Sequence, residues 1–101
     1  MRVDLSPEAR ADLKAIGHWI NDDNPDRADS FVSELEQACA TLGRRPYRFP
    51  AVPAAGHDLR KRAYRDYPIF YRVLGDRVDV VRIVHGKRDW VPMLRSIPGR
   101  Q

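Results

Sequence analysis

The chain has 101 residues, 43% of them hydrophobic and 32% charged. It is a single domain over residues 1–101 with one modest core, too apolar for a disordered chain and without an apolar run long enough to cross a bilayer. A net charge of +4 favours acidic partners: nucleic acid, an acidic protein, or an enzyme that itself holds nucleic acid.

Arg2 to Leu5 can form a short first strand, and Met1-Arg-Val-Asp-Leu5 contains no apolar signal region, so no secretion and a cytoplasmic location are expected. Ser6-Pro7-Glu8 starts a helix: Ser caps it, Pro fits the first helical position, and Glu favours the first turn. Ala9, Leu13, Ile16 and Ile20 recur at helical spacing. Asn21-Asp-Asp-Asn24 ends this helix, and Asn24-Pro25-Asp26 starts the next by the same logic. The second stripe is Ala28, Phe31, Val32, Leu35, Ala38, Cys39 and Leu42, with Gly43 as the stop. A loop of about four residues between two amphipathic helices makes an antiparallel helical hairpin. Cys39, the one cysteine, lies on the apolar stripe and reads as a buried thiol.

Arg44 to Asp58 is a long connection punctuated by Pro46, Pro50, Pro53 and Gly56, with Tyr47 and Phe49 to pin it to the body. Positive charge concentrates here and just beyond: Arg44, Arg45, Arg48, Arg60, Lys61, Arg62 and Arg65 stand against Asp58. Such a cluster is either a solvated basic face or a partner surface.

Leu59 to Tyr64 reads as a second strand, with a tight turn at Arg65-Asp66. Tyr67 to Leu74 and Arg77 to His85 form a hairpin around Gly75-Asp76, a two-residue turn of the kind that takes Gly first. That turn pairs Leu74 with Arg77, and hence Arg72 with Asp79 and Ile69 with Arg82. One face then carries Ile69, Tyr71, Val73, Val78, Val80 and Val84 toward the helices. The other carries Pro68, Phe70, Arg72, Asp79, Val81, Ile83 and His85. It is half apolar, so a ligand or partner chain is expected to cover it. After His85-Gly86-Lys87-Arg88-Asp89 the chain continues as Trp90-Val-Pro-Met-Leu-Arg-Ser-Ile97-Pro98, too proline-rich for a long helix.

The order β-α-α-β-β-β, a helical hairpin on one face of a small antiparallel sheet, places the chain in the α+β class. Together with the hairpin that ends in His-Gly-Lys-Arg-Asp, it resembles the RelE/ParE toxin superfamily of type II toxin–antitoxin systems, in its ParE branch. RelE-like members cut mRNA on the ribosome; ParE-like members inhibit DNA gyrase without that machinery. Metal-free RNA cleavage needs a base, cations for the phosphorane and an acid for the leaving oxygen. The ribonuclease branch has a cation before the aliphatic-aromatic pair of the third strand, where this chain has Pro68. It has two lysines on one face of the second strand, matched here by Leu59 and Lys61. Its Arg after the fourth strand is matched by Arg88, and its later Tyr is replaced by Leu94. Three of those five positions are apolar and can neither move a proton nor stabilise a phosphorane.

The resemblance therefore implies a gyrase inhibitor that acts by binding, with no cofactor or metal, neutralised by an acidic antitoxin carrying a ribbon-helix-helix DNA-binding domain. Direct contact with nucleic acid is expected only through the complex. Candidate target contacts are Arg88, Trp90, Met93 and Leu94. Candidate antitoxin contacts are Trp19, Arg60, Arg62, Phe70, Arg72, Val81 and Ile83. The alternative is a ribosome-dependent endonuclease using His85 as acid or base with Lys61, Arg72 and Arg88. Plainer roles compete for several of these residues: His85 as a strand-end cap, Arg72 as the cross-strand partner of Asp79, Arg88 paired with Asp89, and Trp90 as closure of the core. His18, His57 and His85 lack metal-ligand spacing, and the single Cys cannot complete a zinc site.

Overall fold

The computed structural model describes residues 1–53 and 58–97. Gly56, His57 and Pro98 lie outside the described residues. The elements are β1 (Arg2–Leu5), α1 (Pro7–Asp23), α2 (Pro25–Ala40), a 3-10 turn at Thr41–Gly43, β2 (Arg60–Tyr64), β3 (Tyr67–Leu74), β4 (Arg77–Ile83) and α3 (Trp90–Arg95). Among the described residues no helix is long and apolar enough to cross a membrane.

The cap signals act where the sequence places them. Ser6 Oγ accepts the Ala9 N–H at 3.0 Å and Asn24 Oδ1 accepts the Arg27 N–H at 3.2 Å, each satisfying a donor that the first helical turn leaves over. The expected four-residue loop between the helices does not exist. α1 continues to Asp23, and Asn24 alone ends α1 and caps α2. Pro25 forces this economy: it fits only at the start of a helix, so one residue is enough to turn the chain. The two helices approach closely at Gly17, where a Cβ would stand 3.2 Å from Val32 Cγ2.

The sheet order is β1-β4-β3-β2. β2, β3 and β4 form the expected antiparallel meander, but β1 joins β4 in parallel, so the sheet is mixed rather than antiparallel. A strand followed by a returning helical hairpin has its partner's direction set by tertiary packing. Its partner is far away in sequence, and no local signal reports it. Gly75 has φ +60 and Arg65 has φ 51, each at the first position of its two-residue turn. Arg72 stands opposite Asp79 and Leu74 opposite Arg77, as the turn geometry requires.

Beyond Tyr71 the predicted register fails. A bulge makes Ile69 pair with Ile83 and Phe70 with Arg82, leaving Val81 as the extra residue. An inserted residue inverts the alternation that follows it. Ile83 therefore joins the helix-side core with Ile69, Tyr71, Phe31 and Leu35, and Val84 goes to the second face. α1 supplies the partners that the broken ladder loses. Ser6 Oγ donates to the Val81 carbonyl at 2.9 Å, and Asp12 Oδ2 accepts the Ile83 N–H at 2.9 Å.

The second face is not left for another chain. Val52, Leu59, Phe70, Val81, Val84 and Leu94 form a second buried cluster, with Trp90, Met93 and Ile97 packed on it. Six residues of α3 and the connection before β2 close this layer. The connection is itself tied to the sheet: Val52 N–H donates to Leu59 C=O at 2.8 Å, and Lys61 N–H to Pro50 C=O at 3.0 Å.

Candidate binding site

At the end of the sheet beside α1 lies an apolar cleft of about 420 Å³. It is lined by Asp12, Ala15, Ile16 and Trp19 of α1, by Tyr67 and Ile83 of the strands, and by Val84, His85 and Arg88. Trp19 is 73% exposed, because it sits at the flank of the Ile16–Ile20 stripe rather than on it. An indole held out in water at the mouth of an apolar cleft is a feature of interaction surfaces, where Trp is enriched among the residues that carry affinity. Arg88 is exposed, and no ion pair with Asp89 or any other described carboxylate engages it.

His85 is fixed as a strand-end cap. Its Nδ1 accepts the Lys87 N–H at 3.1 Å, its carbonyl accepts the Arg88 N–H at 3.0 Å, and its ring stands edge-on to Tyr67 at 5.2 Å.

The four residues of a possible cleavage site do not converge. His85 and Arg88 line the cleft by α1. Lys61 is paired with Phe70 on the face under α3, where its ammonium lies 5.6 Å from the Trp90 ring centroid. Arg72 bonds Asp79 at 3.3 Å, with both side chains less than one-fifth exposed, and faces a different recess shared with Ser96 and Ile97. A general acid, a base and a phosphorane stabiliser must all reach one phosphate; these groups are divided between the two sides of the sheet. Pro68, Leu59 and Leu94 are all buried. The positions where a ribonuclease would carry polar catalytic groups are here structural apolar residues, with Leu59 and Leu94 in one cluster.

The other sequence candidates separate by burial. Phe70 is fully buried and Val81 nearly so beneath α3, and Ile83 is buried under the helices, so a partner reaches none of them unless an element moves. Arg60 and Arg62 are spent on the fold. Arg60 donates to the Phe49 carbonyl at 2.6 Å, and Arg62 to the Ala38 carbonyl at 2.6 Å and Thr41 Oγ1 at 2.7 Å, at the α2 C-terminus where a cation suits the helix dipole. Trp90 packs against Phe70 with ring centroids 5.0 Å apart. Leu94 is fully buried and Met93 half-buried. Trp19 and Arg88 alone combine exposure, position in one cleft and freedom from an ion pair. The role of Asp12 escaped sequence reasoning. A carboxylate one helical turn from the Ala9–Leu13–Ile16 stripe, on the α1 flank, was the available signal.

Comparison with known proteins decides the family. The model of the ParE toxin of type II toxin–antitoxin systems, parDE, matches residues 3–90. The chain belongs to the ParE toxin family. It is 32% identical over 87 residues to Toxin ParE1 of Mycobacterium tuberculosis, covering 84% of this chain and 89% of that one, in both strain CDC 1551 / Oshkosh and strain H37Rv. Among solved structures, the chromosomal ParDE TA system from P. aeruginosa superposes with a TM-score of 0.70 over 84% of this chain and 95% of that one, at 22% identity. That likeness shows the shared fold, a helical hairpin on a four-stranded mixed sheet. This ParE-family chain thus keeps the family's architecture while carrying apolar core residues where the ribonuclease branch carries polar ones.

Proposed function

We propose that this ParE-family toxin arrests growth by binding DNA gyrase in the cytoplasm, and that a cognate antitoxin holds it inactive. One observation carries the reading: the cationic and imidazole groups that RNA cleavage would require are split across the sheet, while Trp19 and Arg88 present a solvent-exposed surface in one cleft. Gyrase as the target rests on family membership. The antitoxin follows from the toxin–antitoxin pairing that defines the family, and the net positive charge suits an acidic neutralising segment, ribbon-helix-helix proteins being the expected carriers of such a tail.

Of the C-terminal residues, Arg88 and the accessible edge of Met93 contact the target in this reading, while Trp90 and Leu94 hold the segment in place. Trp19 is the anchor residue in reach of the antitoxin; Phe70 and Val81 become available only where α3 gives way, Ile83 only where the helical hairpin does, and Arg72 lines the recess beside Ser96 and Ile97. The test is a supercoiling assay with purified gyrase beside a ribosome-dependent mRNA cleavage assay, both using toxin released from its antitoxin. Inhibited supercoiling with intact mRNA is expected. Cleaved mRNA with unaffected gyrase refutes the reading.

A further inference from the structure

Arg44, Arg45 and Arg48 take no part in the surface described above, yet their setting is a built one. Arg45-Pro46-Tyr47-Arg48 is a turn closed by the Arg48 N–H on the Arg45 carbonyl at 3.1 Å. Pro46 occupies the position where its fixed φ suits such a turn. The closure brings the Arg45 and Arg48 backbones within about 7 Å. Tyr47 projects from the turn, 63% exposed.

The turn and Phe49 just after it are fixed at three carbonyls. Tyr71 Oη donates to Pro46 C=O at 2.6 Å, and the Arg60 guanidinium donates to those of Tyr47 at 3.2 Å and Phe49 at 2.6 Å. The same guanidinium lies 5.1 Å from the Tyr47 ring centroid, and that of Arg48 lies 5.4 Å from the Phe49 centroid. Arg44, Arg45 and Arg48 are exposed, and none forms an ion pair with a described carboxylate. Asp58 is the one described acid lining the 170 Å³ recess beside Tyr47.

We propose that this turn is a single-stranded nucleic-acid-binding surface: a base stacks on Tyr47, and the flanking phosphates are held by Arg44, Arg45 and Arg48. An acidic peptide would satisfy the guanidiniums but presents a flat ring only where it carries an aromatic side chain, whereas every nucleotide carries one. A duplex offers phosphates but hides its base faces. A single strand offers both, which is why aromatic platforms framed by cations recur where single strands are bound. Because the turn is fixed before binding, little ordering entropy opposes the contact. The inference does not depend on which target the toxin inhibits.

Fluorescence anisotropy of a short labelled mixed-sequence DNA strand, titrated with the full chain, tests this. Tyr47→Ala is expected to weaken binding about fivefold or more, the loss that one base–aromatic stack gives, and Tyr47→Phe to bind like the parent. Arg44→Ala, Arg45→Ala and Arg48→Ala each lower the slope of log K against log salt by about 0.7 for a lost single-strand phosphate contact. Arg10→Ala with Lys14→Ala, two exposed cations of α1, serves as the charge control and leaves binding within about twofold of the parent. The proposal is overturned if that control loses as much as the Tyr47→Ala variant, or if Tyr47→Ala binds like the parent. It is equally overturned if a polyglutamate peptide displaces the strand at equal concentration, which would assign the surface to an acidic protein.

Discussion

Asp12 holds Arg82 across the junction between α1 and β4. Its two carboxylate oxygens accept Arg82 Nε at 2.7 Å and a terminal guanidinium nitrogen at 2.8 Å, and the Ile83 N–H donates to the same carboxylate at 2.9 Å. One side chain therefore satisfies the cation and the backbone donor that the β4 bulge would otherwise strand. The bulge in turn sends Ile83 to the helix side and Val84 to the other. Fork-like guanidinium–carboxylate pairs are the stronger charged hydrogen bonds.

Asp12→Ala should thus cost more than a surface ion pair. With both partners mostly shielded, about 2 kcal/mol is expected, the order found when hydrogen bonds to charged groups are lost. Urea unfolding followed by circular dichroism checks the figure. Asp12→Asn, which keeps an acceptor for the Ile83 N–H, should lose less than Asp12→Ala.

Glu34 gives the chain an acid-sensitive joint between α2 and the β2–β3 turn. Hydrogen bonds from Arg27, and then from Tyr64 at 2.6 Å, hold its carboxyl down at about 2 against an ordinary 4.5. The folded-state value is the depressed one. Its stabilisation is therefore complete above pH 4.5 and is lost as pH falls toward 2. Glu34→Gln should lower the melting temperature at neutral pH, and the gap between the two proteins should close as the pH is taken down through that window. Added salt should narrow the gap too, because the pair is partly open to solvent.

Much of this architecture is legible in the sequence because its determinants are local. Ser6-Pro7, Asn24-Pro25 and Gly75-Asp76 each set a helix start or a turn from adjacent residues, and the Arg72–Asp79 pairing follows from the turn alone. Apart from the loop between the helices, which Asn24-Pro25 shortens to a single residue, the failures are long-range. The parallel placement of β1, the bulge at Val81 and the closure of the second face by α3 depend on contacts between segments far apart in the chain. The apolar character of Phe70 and Val81 correctly announced a covering layer. Its source, the chain's own Trp90–Ile97 segment, was hidden because six helical residues with Pro92 among them carry no strong periodic signal. At the site, alternation placed His85 and Ile83 on one face with Arg72, and the bulge separated them.

The α3 segment should behave as a detachable strap. A helix this short has little stability of its own and depends on the face it covers. Leu94→Ala removes a fully buried side chain and is expected to cost about 2 kcal/mol or more. Because the strap can lift while the helical hairpin stays folded, the loss should show as faster proteolysis after Gly86 and increased binding of a hydrophobic dye, with far-UV circular dichroism largely retained. Leu94→Met, close in volume, should leave both near the parent.

Trp19→Ala separates binding from folding. With the indole mostly in solvent, stability should change by no more than about 0.5 kcal/mol. Inhibition of gyrase or affinity for the antitoxin should fall at least about tenfold if Trp19 is an anchor, as read by supercoiling titration and by calorimetry against the antitoxin. A variant that folds and retains both would remove the α1 cleft from the account.

The most direct measurement is a gyrase supercoiling titration of the wild-type toxin and His85→Ala, with mRNA cleavage on ribosomes followed in parallel. A toxin that works by binding predicts that both proteins inhibit gyrase at closely similar concentrations and that neither cuts mRNA. If wild-type toxin cleaves mRNA, leaves gyrase active, and loses cleavage on His85→Ala while remaining folded, the imidazole is a catalytic group and the binding account is wrong.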